Sequence, residues 1–298
     1  MLSYDCVRLA TAILLVGAVL TPAIATPPEF APTDSSAWYA YSEVLLPPPG
    51  GPGPVTQDPN YPLVTNEDFR ATGKQPTYPM GDVRSPILKS WAADVIRKVN
   101  ADTIAGKPPI TQHAECRPVG VAQFLVQPYT RPMYIVQGRN EVLLINESFA
   151  EVRHIYLSDR HNPEPGRAWY GDSIGHYEGD TLVVDTVGFN DKTYIDRFNT
   201  PHTAQLHTVE RFRLIDGGKE LQVDLHVEDP GAFTTPWNAV MRYRQYELVA
   251  TNAKASGRQI AVLATPDDGT LIEAVCDGRN ALQFVPGASL AEARTPDF

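Results

Sequence analysis

The chain has 298 residues and a formal net charge of −10. That balance argues against a nucleic-acid partner, whose phosphates need a basic surface, and against docking on an anionic membrane. The length suits one large domain, or a small N-terminal part followed by one β domain.

The N-terminus reads as an export signal. Arg8 supplies a short positive region, and the stretch from Ala10 to Leu20 is almost wholly apolar. Its length fits a signal core and is too short for a bilayer span. Ala23-Ile24-Ala25 fits the small-x-small cleavage rule, so residues 1–25 are expected to leave and the mature chain to start at Thr26. The alternative is an uncleaved anchor. The expected location is periplasmic or secreted, with no stable membrane anchor. Cys6 goes with the signal, which leaves Cys116 and Cys276. In an oxidising compartment these two are expected to form one disulfide. Two buried thiols or a metal pair are the alternatives.

Residues 26–84 are rich in proline and polar side chains. The run Pro47-Pro48-Pro49-Gly50-Gly51-Pro52-Gly53-Pro54 cannot be helix or central strand. It reads as an extended arm wrapped over the domain or loosely ordered. A helix and linker are expected over 85–115. Ser85 suits the N-cap and Pro86 the first helical position. Ile87, Trp91 and Val95, with Leu88 and Val99, make one apolar stripe. Gly106 and Pro108-Pro109 end it.

From Cys116 to the C-terminus (116–298) the pattern is strand and turn. Gly138-Arg139-Asn140, Glu178-Gly179-Asp180, Asp216-Gly217-Gly218 and Asp267-Asp268-Gly269 each separate two apolar runs. Strands are expected at 134–136, 142–145, 151–157, 174–177, 182–187, 209–215, 221–227, 240–248, 260–264 and 271–275. A mainly β fold follows, an antiparallel meander closing into a lipocalin-like barrel with one N-terminal helix. A β-sandwich is the alternative.

Strand alternation shows which charges point inward. Glu210 shares a face with Leu206, Thr208, Phe212 and Leu214, so it belongs to the core face. A buried carboxylate needs a partner or a raised pKa. A raised pKa would serve acid–base chemistry, and a structural ion pair is the competing reading. Asp185 sits in a run apolar on both faces, with Arg153, Arg242 and Arg244 as candidate partners. Arg153 shares its face with Ile155 and Leu157, which favours the interior. All seven histidines are in the mature chain. Neither His-x-His nor His-Glu-x-x-His occurs, so no metal site is expected. His202 and His207 flank a loop-to-strand junction beside Pro201. Asp159-Arg160-His161-Asn162-Pro163 reads as a polar loop, either a plain turn or the rim of a ligand site. Trp169 and Trp237 suit an aromatic wall or core plugs. No phosphate loop, dinucleotide fingerprint or nucleophile elbow is present, so no cofactor is expected and a serine hydrolase is disfavoured.

Several segments together resemble a family of exported bacterial proteins known mainly as hypothetical proteins. They are Cys116-Arg117-Pro118-Val119-Gly120, Arg153-His154-Ile155-Tyr156 with Asp159-Arg160-His161, and Gly171 to Asp185 ending in Gly188-Phe189-Asn190. Leu206-His207 with Glu210-Arg211, and Asp229-Pro230 with Pro236-Trp237, complete the set. The most specific piece is the Trp-x-Gly-x-Ser-x-Gly-x-x-Glu-Gly-Asp-Thr-Leu-Val-Val-Asp-Thr segment. The resemblance implies no activity. Where the family tends to carry Cys-His, this chain has Cys276-Asp277, so no role of that histidine carries over.

The expected function is a cofactor-independent periplasmic enzyme, a lyase, isomerase or hydrolase, acting on a small organic molecule in a barrel pocket. Glu210, His207, Asp185 and Arg153 are the candidate catalytic residues. Trp169, Tyr177, His202, Arg211 and Trp237 are the candidate substrate contacts. His207 and Glu210 point to opposite faces of an ideal strand, so sharing a site would require a bulge. The competing expectations are a binding protein using the same barrel without chemistry, and an envelope protein using its proline-rich arm.

Overall fold

A computed structural model gives the fold and describes residues 27–30, 37–65, 68, 71–109, 111–127, 132–146 and 151–245. The signal segment, Cys276 and the strands expected at 260–264 and 271–275 lie outside the described residues.

The chain is mainly β, and nine strands close into one barrel in sequence order. They are β1 Ala37–Ala40, β2 Met133–Gln137, β3 Glu141–Asn146, β4 Glu151–Leu157, β5 Asp172–Glu178, β6 Thr181–Val187, β7 His207–Ile215, β8 Glu220–Glu228 and β9 Trp237–Gln245. The sandwich alternative is thereby excluded. Each tight turn foreseen among the described residues joins neighbouring antiparallel strands. One step departs from a pure meander. β4 and β5 run parallel and meet only at Tyr156–Ile174 and Leu157–Gly175. The connection from Ser158 to Gly171 has to cross back along the wall to start β5, and that crossing carries His161.

Closure depends on a strand that the sequence pattern did not mark. Ala37–Ala40 lies in the segment expected as an arm, yet it pairs with both β2 and β9. Its four residues are all buried. Trp38 is fully buried, and its indole N–H donates to the Phe30 carbonyl at 2.9 Å. A strand this short shows no alternation to read. Its tryptophan, tyrosine and small alanines were the available signal.

The barrel interior is a packed core. Leu182, Val184, Phe212, Val223, Leu225 and Met241 alternate inward from β6 to β9. A short helix, α2 (Val121–Val126), adds Phe124 and Leu125, both fully buried. Tyr243 reaches from β9 to donate to the Leu125 carbonyl at 2.7 Å. One helix was expected; α2 is a second, too brief for its periodicity to separate from an apolar strand.

The expected helix exists with a shifted start and a rotated face. It is α1 (Ser90–Ile104), with Lys89 at the N-cap position and no side-chain capping hydrogen bond. Ser85 instead opens a turn, accepting from the Leu88 amide at 3.2 Å. Leu88 bridges Phe233, which holds this stretch extended before the helix begins. The buried face is Ala92, Ala93, Ile96 and Asn100 rather than the stripe through Trp91. Trp91 is 40% exposed and caps the packing edge, donating to the Gly231 carbonyl. Small alanines let α1 sit close to the barrel, which a tryptophan at the same place would prevent. Among the described residues no helix is long and apolar enough to cross a membrane.

Candidate functional site: a histidine–carboxylate array on the outer wall

The four candidate catalytic residues divide between two faces of one sheet. Arg153 and Glu210 point inward from β4 and β7, and both side chains are 0% exposed. The guanidinium grips the carboxylate through two hydrogen bonds, of 2.8 and 2.5 Å. Arg153 Nη2 also donates to Ser173 Oγ at 3.2 Å and Thr186 Oγ1 at 3.1 Å. The pair therefore sits in a small polar nest. Arg153 Nε and Thr208 Oγ1 have no partner among the described residues. Burial, and then the nearby Glu210 charge, raise the Tyr243 phenol well above its usual range. Glu210 is buried as alternation required. Its partner is Arg153, and no outer-wall group reaches it.

His207 and Asp185 point the other way. Asp185 is register-paired with Val209 on β7, so its side chain lies on the outer wall next to that of His207. His207 Nε2 lies 3.1 Å from both Asp185 oxygens. From the crossing loop, His161 brings its Nε2 to 2.8 Å from Asp185 Oδ1. The other His161 nitrogen lies 3.0 Å from Asp172 Oδ2 on β5. On the far side, His207 Nδ1 faces Glu228 Oε2 at 3.7 Å, and His226 Nε2 meets Glu228 Oε1 at 3.0 Å. Imidazoles and carboxylates thus alternate across four strands: Asp172, His161, Asp185, His207, Glu228, His226.

The order follows from the registers. Ile174 opposes Asp185, Asp185 opposes Val209, and Val209 opposes His226. Ile174 and Val209 give the array an apolar floor between its polar members. The array is partly open to solvent, with side-chain exposures of 23% for His161, 32% for His207 and 36% for Asp185.

Two carboxylates of the array hold their charge more firmly than usual. Partial burial raises the Asp185 pKa, but hydrogen bonds from His161 and His207 and their charge outweigh it, so the net shift is downward. Glu228 is lowered chiefly by its hydrogen bond with His226. Both His161 nitrogens face carboxylate oxygens, and an imidazole donates at both only when doubly protonated. A carboxylate-oriented imidazole whose second nitrogen faces solvent is the elementary unit of general acid–base catalysis. His207 is oriented by Asp185 through Nε2, while its Nδ1 faces Glu228 Oε2 at 3.7 Å and its side chain stays 32% exposed.

The remaining candidates scatter. Tyr177 is at the far end of β5, half-buried, its hydroxyl accepting from Gln137 Nε2 at 2.9 Å. His202 is buried, its Nε2 2.6 Å from Thr193 Oγ1, and burial lowers its pKa. Arg211 is on the outer wall, paired with Glu178 rather than with the array. Trp237 is 1% exposed and packs edge-on against Phe233, a core plug and not a ligand wall. Trp169 is half-buried at the end of the crossing loop. His161 was marked only as part of a possible rim, and Asp172, Glu228 and His226 went unmarked. A parallel crossing brings His161 over Asp185, and hairpin spacing alone does not reveal it. Among the described residues, no group of three or more His, Cys, Asp or Glu is arranged to hold a metal ion.

No family model matches the chain, and no curated protein matches it either.

Proposed function

We propose that the protein is an exported, cofactor-independent enzyme that performs acid–base chemistry on a small organic molecule. A lyase, isomerase or hydrolase reaction fits. His207 is the acid and base, Asp185 orients it, and His161 is the second imidazole on the same carboxylate. The observation that carries this reading is Asp185 holding two partly exposed imidazoles at 2.8 and 3.1 Å. The reading relocates the chemistry from the barrel interior to its outer wall. The interior is filled by fully buried side chains such as Trp38, Phe124, Phe212 and Tyr243. That filling counts against a lipocalin-like carrier with its ligand inside.

The test is incubation of the mature protein with a small-molecule extract of its host, followed by mass spectrometry. Wild-type protein should consume at least one compound, and His207→Gln should consume none of it. Equal consumption by both, or no consumption at all, would remove the proposal.

Export carries a second, separable expectation. The signal-like N-terminus and the two remaining cysteines support a single Cys116–Cys276 disulfide in a periplasmic or secreted protein. Thiol titration of denatured, unreduced mature protein should find none free. Two free thiols per chain would contradict it.

A further inference from the structure

One carboxylate of the array faces His207 from the side away from Asp185. Both Asp185 oxygens lie 3.1 Å from His207 Nε2, and a carboxylate only accepts, so Nε2 carries a proton. Nδ1 is therefore the ring nitrogen that gains and loses one. The atom it faces is Glu228 Oε2, at 3.7 Å. That separation is beyond hydrogen-bond reach, so the two groups are neighbours without engaging each other.

The fold holds Glu228 in this position. His207 opens β7 and Glu228 ends β8, and the two oppose each other in register, so both project from the outer face. Glu228 engages His226 Nε2 through Oε1, at 3.0 Å, and His226 Nδ1 lies 2.8 Å from Asn238 Oδ1. That leaves Oε2 turned to His207. Asp229, next in the chain, is buried. It accepts from the Thr203 amide and hydroxyl at 2.5 and 2.7 Å and from the Gly231 amide at 2.9 Å. This clamp ties the chain leaving β8 to the chain entering β7, so both groups stand on fixed strand ends. Both stay open to solvent, His207 at 32% and Glu228 at 46%. The hydrogen bond from His226 keeps Glu228 in its ionised form, the form that can take a proton.

We propose that Glu228 is a second catalytic residue of this site and that the substrate is an enolisable carbonyl compound. The inference rests on the acid–base reading of His207. Glu228 Oε2 takes a proton from the carbon next to the carbonyl. The C–H electron pair becomes the C=C bond, and the carbonyl π pair moves to oxygen. That oxygen takes the proton of protonated His207 Nδ1, which leaves a neutral enol, a protonated Glu228 and a neutral His207. Exchange with solvent on the open wall restores both groups. A carboxylate base beside an imidazole that serves the carbonyl oxygen is suited to enolisation. Both groups reach the substrate from one face, as a proton shift between near atoms requires. The first step breaks a C–H bond, which makes this an isomerase or lyase pair rather than a hydrolase pair.

Deuterium exchange at carbon tests the inference. The mature protein is incubated in D2O with phenylpyruvate or with dihydroxyacetone, and proton NMR follows loss of the C–H signal next to the carbonyl. Wild-type protein should speed exchange of at least one probe over protein-free buffer. Glu228→Gln should lower that rate by about 100-fold or more, on the scale of a general base, and keep the wild-type melting midpoint. His207→Gln should lose the rate as well. No acceleration of either probe, or full acceleration by either folded variant, would overturn the inference. The host-extract assay separates it from the reading beneath it. A compound consumed by wild type and by Glu228→Gln, but not by His207→Gln, would remove Glu228 and leave His207 in place.

Discussion

Buried charge settles the roles of single residues. Arg153 and Glu210 satisfy each other in a site with no exposure. Breaking such a pair leaves one charge alone in the core, which typically costs about 3–5 kcal/mol. Glu210→Gln should therefore lower stability in urea denaturation by roughly that amount. The double replacement Arg153→Met with Glu210→Leu should cost less than Glu210→Gln alone, because no orphan charge remains. Asp196 gives a second residue-scale prediction. It is buried, and although Thr200 and two backbone amides donate to it, burial pushes its pKa up to about 6. A folded-state value above the unfolded one contributes stability that is full below pH 3.8 and is lost as pH rises to about 6. A shift of about 2 units corresponds to roughly 3 kcal/mol at most. Asp196→Asn should flatten this part of the stability–pH curve. A slope between pH 4 and 6 that persists in the variant would assign it to other groups. Asp185 has the opposite sign, since its lowered pKa gives stability that is lost only as pH falls below the ordinary carboxylate range. At this scale the sequence was informative about facing and poor about partners. Alternation put Glu210 inside and His207 outside. Arg153 was one of three possible partners for Asp185, and it pairs with Glu210 instead because its strand faces inward.

Elements were legible where spacing is short. The antiparallel strands joined by tight turns appeared in the sequence because apolar runs alternate around Gly- and Asp-rich turns. β1 and α2 did not, being too short to show a period. The parallel step from β4 to β5 was also hidden, and it depends on how the chain enters β5. Gly171 makes that entry with φ at +64°, and a Cβ there would lie 2.4 Å from the Val187 carbonyl oxygen. Left-handed backbone alone costs a residue with Cβ about 1–2 kcal/mol. Gly171→Ala should thus destabilise by more than about 2 kcal/mol. Because the loop from Ser158 to Gly171 carries His161, the same change should also move the His161 ring resonances. Melting and histidine NMR on that variant check both effects. A stable variant with unchanged histidine signals would mean that the loop is placed without this turn.

At the scale of the whole molecule, one sheet has an inner face that holds the fold and an outer face that carries the histidine–carboxylate array proposed to do the chemistry. A barrel of this size fills with side chains unless it is widened, and its core here includes a bidentate ion pair. The wall carrying Asp185 is where imidazoles meet both carboxylate and solvent. Composition and patterning conveyed the barrel but placed its site inside, because a charge in an apolar run was taken to face the core. Asp185 is such a case: Val184 beside it is buried, while Asp185 opens onto His161 and His207. The most direct measurement compares His207→Gln with Glu210→Gln for both thermal midpoint and turnover of any compound that the wild-type protein consumes. The account predicts that His207→Gln keeps its midpoint within a few degrees and loses about 10²–10⁴-fold in rate, the usual contribution of a general acid–base group. Glu210→Gln should lose its midpoint, while its folded fraction at low temperature still turns the compound over. Full turnover by stable His207→Gln, or loss of turnover without loss of stability in Glu210→Gln, would return the chemistry to the barrel interior and contradict the account.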